Sequence, residues 1–231
     1  MYQIDTNALS AGIYTIPQVA RLLDVKPWRV RGWVTGYYKM LGRPLIESDF
    51  QPIDHHIAVS FVNLIEIRFI AAFSRYGVSV RAIRYMAEEA KRFLRHPHPF
   101  ATEMIFRTDG RGIFIEAAER TGDPKLYDLR GKNWGIHAIL SDAMKNEVVY
   151  SDGGLAKAWY PKKNIAPDVV VHPKIAFGQP ALDDSGIPTE ALYDAYIAEG
   201  KNFTRVARWF GIPLKNVKEA IKFELQIRAV H

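Results

Sequence analysis

The sequence predicts a mainly α-helical fold with small β-hairpins, which is an α+β class. Apolar residues recur at helical spacing behind helix-capping residues in several segments. Short β-type runs flank Asp-Gly turns in the middle of the chain. Residues 19–34 also align without gaps on residues 206–221, which places a related pair of short helices near each end. We therefore expect a helical unit at residues 1–95, a mixed segment at 96–160 and a second helical unit at 161–231.

The first predicted element is a helical pair in "TIPQVARLLDVKPWRVRGWV", residues 15–34. Thr15 is a good N-cap, and Asp24 tolerates the left-handed geometry of a tight turn. Pro27 suits the first turn of a second helix, and Gly36 suits its end. Ala20 is small enough for close helix contact, and apolar residues follow it at the spacing of a helix-turn-helix.

The outer side of the second helix carries cations and an indole. A helix of this kind can enter the major groove of DNA, where Arg pairs with guanine edges and Lys holds phosphates. Residues 1–95 also hold thirteen Lys and Arg against eight Asp and Glu, so positive charge concentrates in this part of the chain. The basic, aromatic stretch that follows predicts a two-stranded wing with cations at the phosphate backbone. The predicted DNA-binding residues are Lys26, Trp28, Arg29, Arg31, Tyr37, Lys39 and Arg43.

Two longer helices are predicted next, in "SFVNLIEIRFIAAFSRYG" and "SVRAIRYMAEEAKRFL". Helix-turn-helix, wing and two helices in this order resemble the MerR-type winged-helix DNA-binding domain over residues 13–95. That family commonly ends in a long dimerising helix. Here the last helix meets "HPHPFATEM" soon after Leu94, so we expect any homodimer to use another surface.

The middle segment predicts two β-hairpins and a linker. "EMIFRTDGRGIFIEA" has a turn signal at Asp109-Gly110 between apolar runs, and "EVVYSDGGLAKAWYP" has one at residues 152–154. "YPKKNIAP" has prolines near both ends and predicts a linker. The histidines in "HPHP" and at 55–56 lack the spacing and ligand company of a metal site, so neither a metal nor a cofactor is expected.

The C-terminal copy of the helical pair has Gly211 at the turn position that Asp24 occupies in the first copy. Its second helix is less cationic, which favours a protein contact or a structural role over DNA binding. Residues 169–224 resemble the small domain of the DUF four-three-three family, with its strand, Pro-rich turn, helix and closing helix-turn-helix. The residues that carry the resemblance are Pro173, Ile175, Gly178, Pro180, Gly186, Ile187 and Pro188.

The combination of the two ends is similar to antitoxins of the VapBC type, whose partners are PIN-like ribonucleases. The resemblance implies a non-enzymatic protein that binds double-stranded operator DNA, represses its own operon and neutralises a toxin. A cationic tail can block a metal-holding, carboxylate-rich nuclease cleft by charge pairing. The candidate toxin contacts are Lys222 and Arg228.

Two alternatives to the antitoxin hypothesis stay open. One is a stand-alone MerR-like regulator that senses a small ligand in residues 96–160, and the other is an enzyme with an unrecognised site.

Cysteine is absent from the 231 residues, which excludes disulfides and thiolate chemistry. No membrane-length apolar run or secretory signal is visible, so a cytoplasmic protein without membrane partners is expected.

Overall fold

Helices joined by short strand pairs make up the structure, a computed structural model that describes residues 11–36, 43–52, 56–107, 110–131 and 147–229. Within these residues the strands form small antiparallel pairs of two strands each. The predicted fold class, mainly α with small β-hairpins, is confirmed.

The N-terminal helical pair begins at a short strand. β1 (Tyr14–Thr15) leads into α1 (Ile16–Leu23), and α2 (Pro27–Thr35) follows after a turn. The Thr15 hydroxyl accepts a hydrogen bond from the Gln18 backbone N–H, and the Gln18 side chain accepts one from the Thr15 N–H at 2.8 Å. This reciprocal cap satisfies donors that a helix start leaves open. β1 pairs with β2 (Ala58–Val59), which fixes the start of α1 to a later part of the chain.

The core is built around α3 (Phe61–Arg75), which is buried along most of its length. Ser60 caps α3, and Ser79 caps the next helix, α4 (Val80–Leu94). Phe69 stacks on Phe100 with ring centroids 4.0 Å apart, where Phe100 belongs to a short 3₁₀ turn, Pro99–Ala101. α3 therefore carries both the N-terminal pair and the first part of the middle segment.

The hairpin predicted in "EMIFRTDGRGIFIEA" is wrong. The segment forms α5 (Met104–Arg107) and α6 (Gly110–Thr121), which pack against each other and against α4. The apolar residues that suggested strands also fit a helix, because Ile113, Phe114, Ala117 and Ala118 fall on one helical face and are buried. Tertiary packing decides between the two readings, since Phe114 lies 5.2 Å from the Phe73 ring.

The second predicted hairpin is confirmed. β3 (Val148–Tyr150) pairs antiparallel with β4 (Ala156–Trp159), and the turn between them contains Asp152, Gly153 and Gly154. α7 (Pro124–Gly131) precedes this hairpin in the chain and packs on α6.

The C-terminal unit contains a strand pair and three helices. β5 (Val169–Val170) pairs with β6 (Ala181–Leu182), and α8 (Thr189–Ala198), α9 (Phe203–Phe210) and α10 (Leu214–Arg228) follow. α10 packs on α8 and α9, and it also contacts α1 in the N-terminal unit. The first strand, the turn and the three helices come in the order that the sequence predicts for residues 169–224, whereas β6 is a second strand that the prediction lacks.

Buried apolar residues from Tyr14 to Ile227 form one connected cluster in the described structure. All three predicted segments contribute to it, and their boundaries at 95 and 160 stay predictions. None of the helices within the described ranges has the length and apolarity that a bilayer span needs.

Candidate nucleic-acid interface

The turn between α1 and α2 holds the two helices at a fixed angle. Asp24 adopts the left-handed conformation with φ 54°, and the Val25 N–H donates to the Ala20 carbonyl at 3.0 Å. Ala20 and Val30 are fully buried, so the underside of the pair is packed tightly on the core. The opposite face of α2 is thereby left on the surface.

Three of the predicted DNA contacts lie on that surface. Lys26 and Arg31 are exposed, and the Trp28 side chain is 61% exposed. A large indole usually lies at least partly buried, because it carries much apolar area. An exposed tryptophan between two cations is therefore a candidate contact surface rather than part of the core.

Arg29 points the other way. It is half-buried, its Nη2 donates a hydrogen bond to the Ser74 hydroxyl on α3, and its guanidinium lies 5.6 Å from the centre of the Trp33 ring. Arg29 therefore lies against α3 rather than pointing outward as expected, and it meets Trp33 because i and i+4 side chains share one face of a helix. Its role as a DNA contact stays a prediction. Arg29 thus helps to fix α2 against α3.

The stretch predicted as a wing is described only in part. Tyr37 and Lys39 lie outside the described residues. Arg43 is exposed, and residues 43–50 form bends and irregular backbone with no strand. The backbone N–H groups of Leu45 and Ile46 donate to the Trp33 carbonyl at 2.8 and 3.2 Å, so the chain returns to the end of α2 within the stretch predicted as the wing, residues 36–48.

A further arginine lies beside Arg43. Arg84 of α4 is half-buried, and its guanidinium donates a hydrogen bond to the Arg43 carbonyl. The sequence did not indicate this contact, although the helical spacing of α4 keeps Arg84 off its apolar stripe. The Arg84 guanidinium therefore lies beside the Arg43 backbone, two residues before the segment that returns to α2.

A partly buried ionic group lies next to this region. His98 lies between two carboxylates, with Nδ1 3.0 Å from Glu66 Oε2 and Nε2 3.3 Å from Asp49 Oδ1. Burial by itself lowers the pKa of His98, but the hydrogen bonds to Asp49 and Glu66 outweigh it and raise the pKa to about 9. His98 is therefore protonated at neutral pH. No sequence signal joins these three residues, because they come from three separate segments.

The His98 group fixes the segment that follows the predicted wing. The Asp49 backbone N–H donates to Asn63 Oδ1 at 3.0 Å, and the Asp49 carboxylate accepts a hydrogen bond from the Ser60 hydroxyl. Both partners lie at the start of α3. Both ring nitrogens of His98 are engaged by carboxylates, and the described residues contain no group of three or more His, Asp or Glu side chains arranged to hold a metal ion.

The two predicted toxin contacts differ in accessibility. Lys222 is exposed on α10. Arg228 is half-buried, and it donates to Glu224 at 2.9 Å and to Glu190 at 3.1 Å. Its guanidinium also lies 4.3 Å from the centre of the Tyr193 ring. Arg228 joins α10 to α8, so Lys222 is the better placed of the two for contact with another molecule.

A cleft of about 480 Å³ lies between the N-terminal pair and the rest of the protein. Asp24 at the turn of the pair, Trp159 of β4 and Gln226 of α10 are among the residues that line it. The ion pair of Arg68 with Glu147, at 2.6 Å, also faces the cleft. This cleft is a candidate site for a small ligand, which the alternative of a ligand-sensing regulator requires.

Comparison with known proteins gives one curated relative of similar length. No protein-family model matches the chain. The chain is 25% identical over 224 residues to a Mycobacterium tuberculosis protein named "Putative antitoxin VapB45", and the match covers 90% of this chain and 92% of the relative. The similarity therefore includes both helical units and the segment between them.

A solved structure shows the same fold. The X-ray crystal structure of Rv2018 from Mycobacterium tuberculosis matches with a TM-score of 0.70 and 23% sequence identity. The match covers 90% of this chain and 96% of that chain. The arrangement of α1 to α10 is thus a whole-chain fold that occurs in a crystal structure.

Proposed function

We propose that this protein is an antitoxin that binds operator DNA, represses its own operon and neutralises a PIN-like ribonuclease. The observation that carries the proposal is the end-to-end similarity to a protein named as an antitoxin, which covers 90% of this chain. The exposed cationic helix of the N-terminal pair supports the DNA-binding part. The resemblance to VapBC-type antitoxins, which have no catalytic role, supports a binding protein rather than an enzyme.

In the DNA-binding part, α2 enters the major groove. Arg31 reads a base edge, Lys26 contacts phosphate, and Trp28 packs on the sugar-phosphate wall or a thymine methyl group. Arg43, with Arg84 beside it, holds the neighbouring phosphates. Arg29 acts as a positioning residue, because its contacts with Ser74 and Trp33 set the angle at which α2 leaves the core.

In the toxin-neutralising part, the partner is a nuclease that holds metal ions with clustered carboxylates. A cationic protein surface binds such a cleft by charge complementarity and keeps RNA out of it. Lys222 is exposed and suits this role. Arg228 keeps its predicted role only if it leaves the contacts with Glu190 and Glu224.

The test uses the full-length protein and the product of the adjacent reading frame. Co-purification of the two proteins and loss of ribonuclease activity in the complex support the antitoxin part. Absence of both contradicts it. A gel-shift titration with the upstream DNA at several salt concentrations tests the DNA part, since phosphate contacts give an affinity that falls as salt rises.

A second candidate is a stand-alone MerR-like regulator that senses a small ligand. The cleft beside Asp24 favours it, because a ligand there would contact the turn that sets the angle between α1 and α2. A ligand that binds the purified protein and changes its affinity for DNA, without an adjacent nuclease gene, would support this candidate over the antitoxin.

A further inference from the structure

The cleft of about 480 Å³ beside Asp24 lies where several parts of the chain meet. Residues from α1 and its turn, from α3, from β4 and the turn that follows it, and from α10 all line this cleft. Its volume is in the range of pockets that hold a small organic ligand. The chemistry of the lining residues therefore indicates the class of ligand that fits.

α3 brings two arginines to the cleft on one helical face. Arg68, Ala72 and Arg75 lie at positions i, i+4 and i+7, and all three line the cleft. Arg68 is buried and pairs with Glu147 at 2.6 Å, whereas Arg75 is exposed and forms no ion pair with a described residue. Burial lowers the pKa of Arg68, and the charge of Arg75 adds to this lowering. The two guanidinium groups are thus near enough to repel each other, and an anion beside them would relieve that repulsion.

A third cation comes from the turn after β4, in the segment predicted as a linker. Two backbone hydrogen bonds of 2.8 Å to the Lys162 carbonyl fix this turn. Lys162 is half-buried on the cleft, and like Arg75 it has no ion-pair partner within the part of the chain that the structure describes. The lining carboxylates are Asp24 and Glu147, and Glu147 already pairs with Arg68. Positive charge therefore exceeds negative charge in the cleft.

The neutral groups of the cleft add hydrogen-bonding capacity and aromatic surface. Trp159 of β4 is 2% exposed, and its Nε1 has no hydrogen-bond partner among the described residues. The Arg68 guanidinium lies 5.3 Å from the centre of the Trp159 ring. The side-chain amides of Asn164 and Gln226 each donate and accept hydrogen bonds, and Tyr76 contributes an exposed ring. These groups suit a ligand that has a polar organic body as well as an anionic group.

We propose that this cleft binds a small organic molecule that carries a phosphate or carboxylate group, with Arg75 and Lys162 on the oxyanion. The planar guanidinium of arginine matches the geometry of phosphate and carboxylate oxygens. Asn164 and Gln226 contact the organic body of the ligand. The proposal names a ligand class for the second candidate function, and it rests on that candidate only for the effect of binding on DNA affinity.

The binding test uses the full-length protein alone, with calorimetric titration and thermal shift against inorganic phosphate, adenosine monophosphate and citrate. We expect adenosine monophosphate or citrate to bind more tightly than inorganic phosphate, because the cleft also contacts the organic body. The affinity should fall as the chloride concentration rises, since salt screens the charges. Tighter binding of adenosine monophosphate than of citrate assigns the site to phosphates, and the reverse assigns it to carboxylates. Absence of binding by all three probes would overturn the proposal.

Substitutions of opposite expected sign place the ligand in this cleft. Arg75→Gln and Lys162→Gln should each weaken binding by about tenfold or more, because each removes a charged hydrogen-bond donor. Asp24→Asn should tighten binding, since it removes a negative charge and Asn tolerates the left-handed turn. Arg81→Gln, at an exposed cation of α4 outside the cleft, is the matched control and should leave the affinity unchanged.

The substituted side chains are exposed or half-buried, so the variants should keep the helical circular dichroism of the parent protein. Unchanged affinity in Arg75→Gln or in Lys162→Gln would overturn the proposal. Weaker binding in Asp24→Asn, or an equal loss in Arg81→Gln, would also overturn it.

The effect on DNA is measured separately, by fluorescence anisotropy with the upstream DNA in the presence and absence of the probe that binds. A change in DNA affinity supports both the site and the second candidate function, because the turn at Asp24 lines the cleft. Unchanged DNA affinity, or no DNA binding at all, with the probe bound would support the site and contradict that candidate. The failure of the site and the failure of the candidate function are thus distinguishable.

Discussion

The two helical pairs share the same spacing of small, turn and apolar residues, but the rest of the chain packs on them differently. Both turn at a residue in the left-handed conformation, Asp24 with φ 54° and Gly211 with φ 64°. In the first pair, α2 keeps Trp28 and Arg31 on the surface, while α1 is covered by α10. In the second pair, Lys215 at the position of Trp28 forms ion pairs with Asp168 and Glu219, and it is α9 that stays exposed.

This difference indicates that a helix-turn-helix sequence predicts the shape of the unit but not the face that it uses. The face depends on which helix the rest of the chain covers. Arg29 and its counterpart Asn216 show what the sequence pattern does not predict. A helical wheel places both polar residues on the outer side of their helices, but Arg29 is half-buried and Asn216 is buried. The comparison predicts distinct effects of matched substitutions in the two pairs.

The largest expected effect comes from the two tryptophans. Trp33 is 1% exposed, and its replacement by Ala should lower the free energy of unfolding by about 3–5 kcal/mol, since a large buried side chain leaves a cavity. Trp209→Ala should change it by less than about 0.5 kcal/mol, because the indole is exposed. Urea denaturation of both variants measures the difference. Similar losses in the two variants would contradict the assignment of Trp209 to the surface.

The next effect is a difference in DNA affinity between variants of α2 and variants of α10, which are the second helices of the two pairs. Arg31→Ala on α2 should weaken binding to the upstream DNA by about 1–3 kcal/mol if Arg31 reads a base. The aligned variant Lys218→Ala on α10 is the control and should leave DNA affinity unchanged. Fluorescence anisotropy at fixed salt measures both. An equal loss in the two variants would show that the C-terminal pair also contacts DNA.

Much of the helical fold could be predicted, because capping residues and apolar spacing act locally. Thr15, Asp24 and Gly36 indicate the first pair, and each serves the purpose that its residue type suggests. The segment around Asp109-Gly110 could not be predicted in the same way. Its apolar run suits a strand or a helix, and only contact with α4 and the Phe73 ring selects the helix.

The candidate site was predicted less completely than the fold. Lys26, Trp28 and Arg31 lie on the surface as their helical positions suggest. The inward turn of Arg29 depends on Ser74, which is distant in sequence. Likewise, the His98 group joins three segments, and no spacing rule connects them.

The His98 group predicts a pH dependence that belongs to the N-terminal region. The folded pKa of about 9 lies above the unfolded value near 6.5. The histidine's stabilising contribution is therefore complete below pH 6.5 and disappears as pH rises through 9. We expect a loss of roughly 1–2 kcal/mol over this window, after allowance for partial solvent screening. Denaturation at several pH values measures it.

His98→Gln should flatten this part of the stability profile. His172→Gln is the matched control in the C-terminal unit, where burial lowers the pKa of His172 and so moves its titration to the acid side of this window. Its profile should run parallel to that of the parent protein. A parent profile that is flat between pH 6.5 and 9 would contradict the charged state assigned to His98.

The smallest effect tests the turns themselves by exchanging their residue types. Gly211→Ala should lower the free energy of unfolding by about 1 kcal/mol, because a side chain is unfavourable at φ 64°. Apart from its chain neighbours, none of the described residues has an atom within 4 Å of the added Cβ, so the cost comes from the backbone. Asp24→Gly should raise it by about 0.5 kcal/mol, since relief of the left-handed strain is partly offset by the greater freedom of glycine in the unfolded chain. Thermal denaturation measures both changes in the free energy of unfolding. Changes of opposite sign would show that the two turns share one backbone geometry. Changes of the same sign would show that Asp24 is held by interactions that Gly211 does not need.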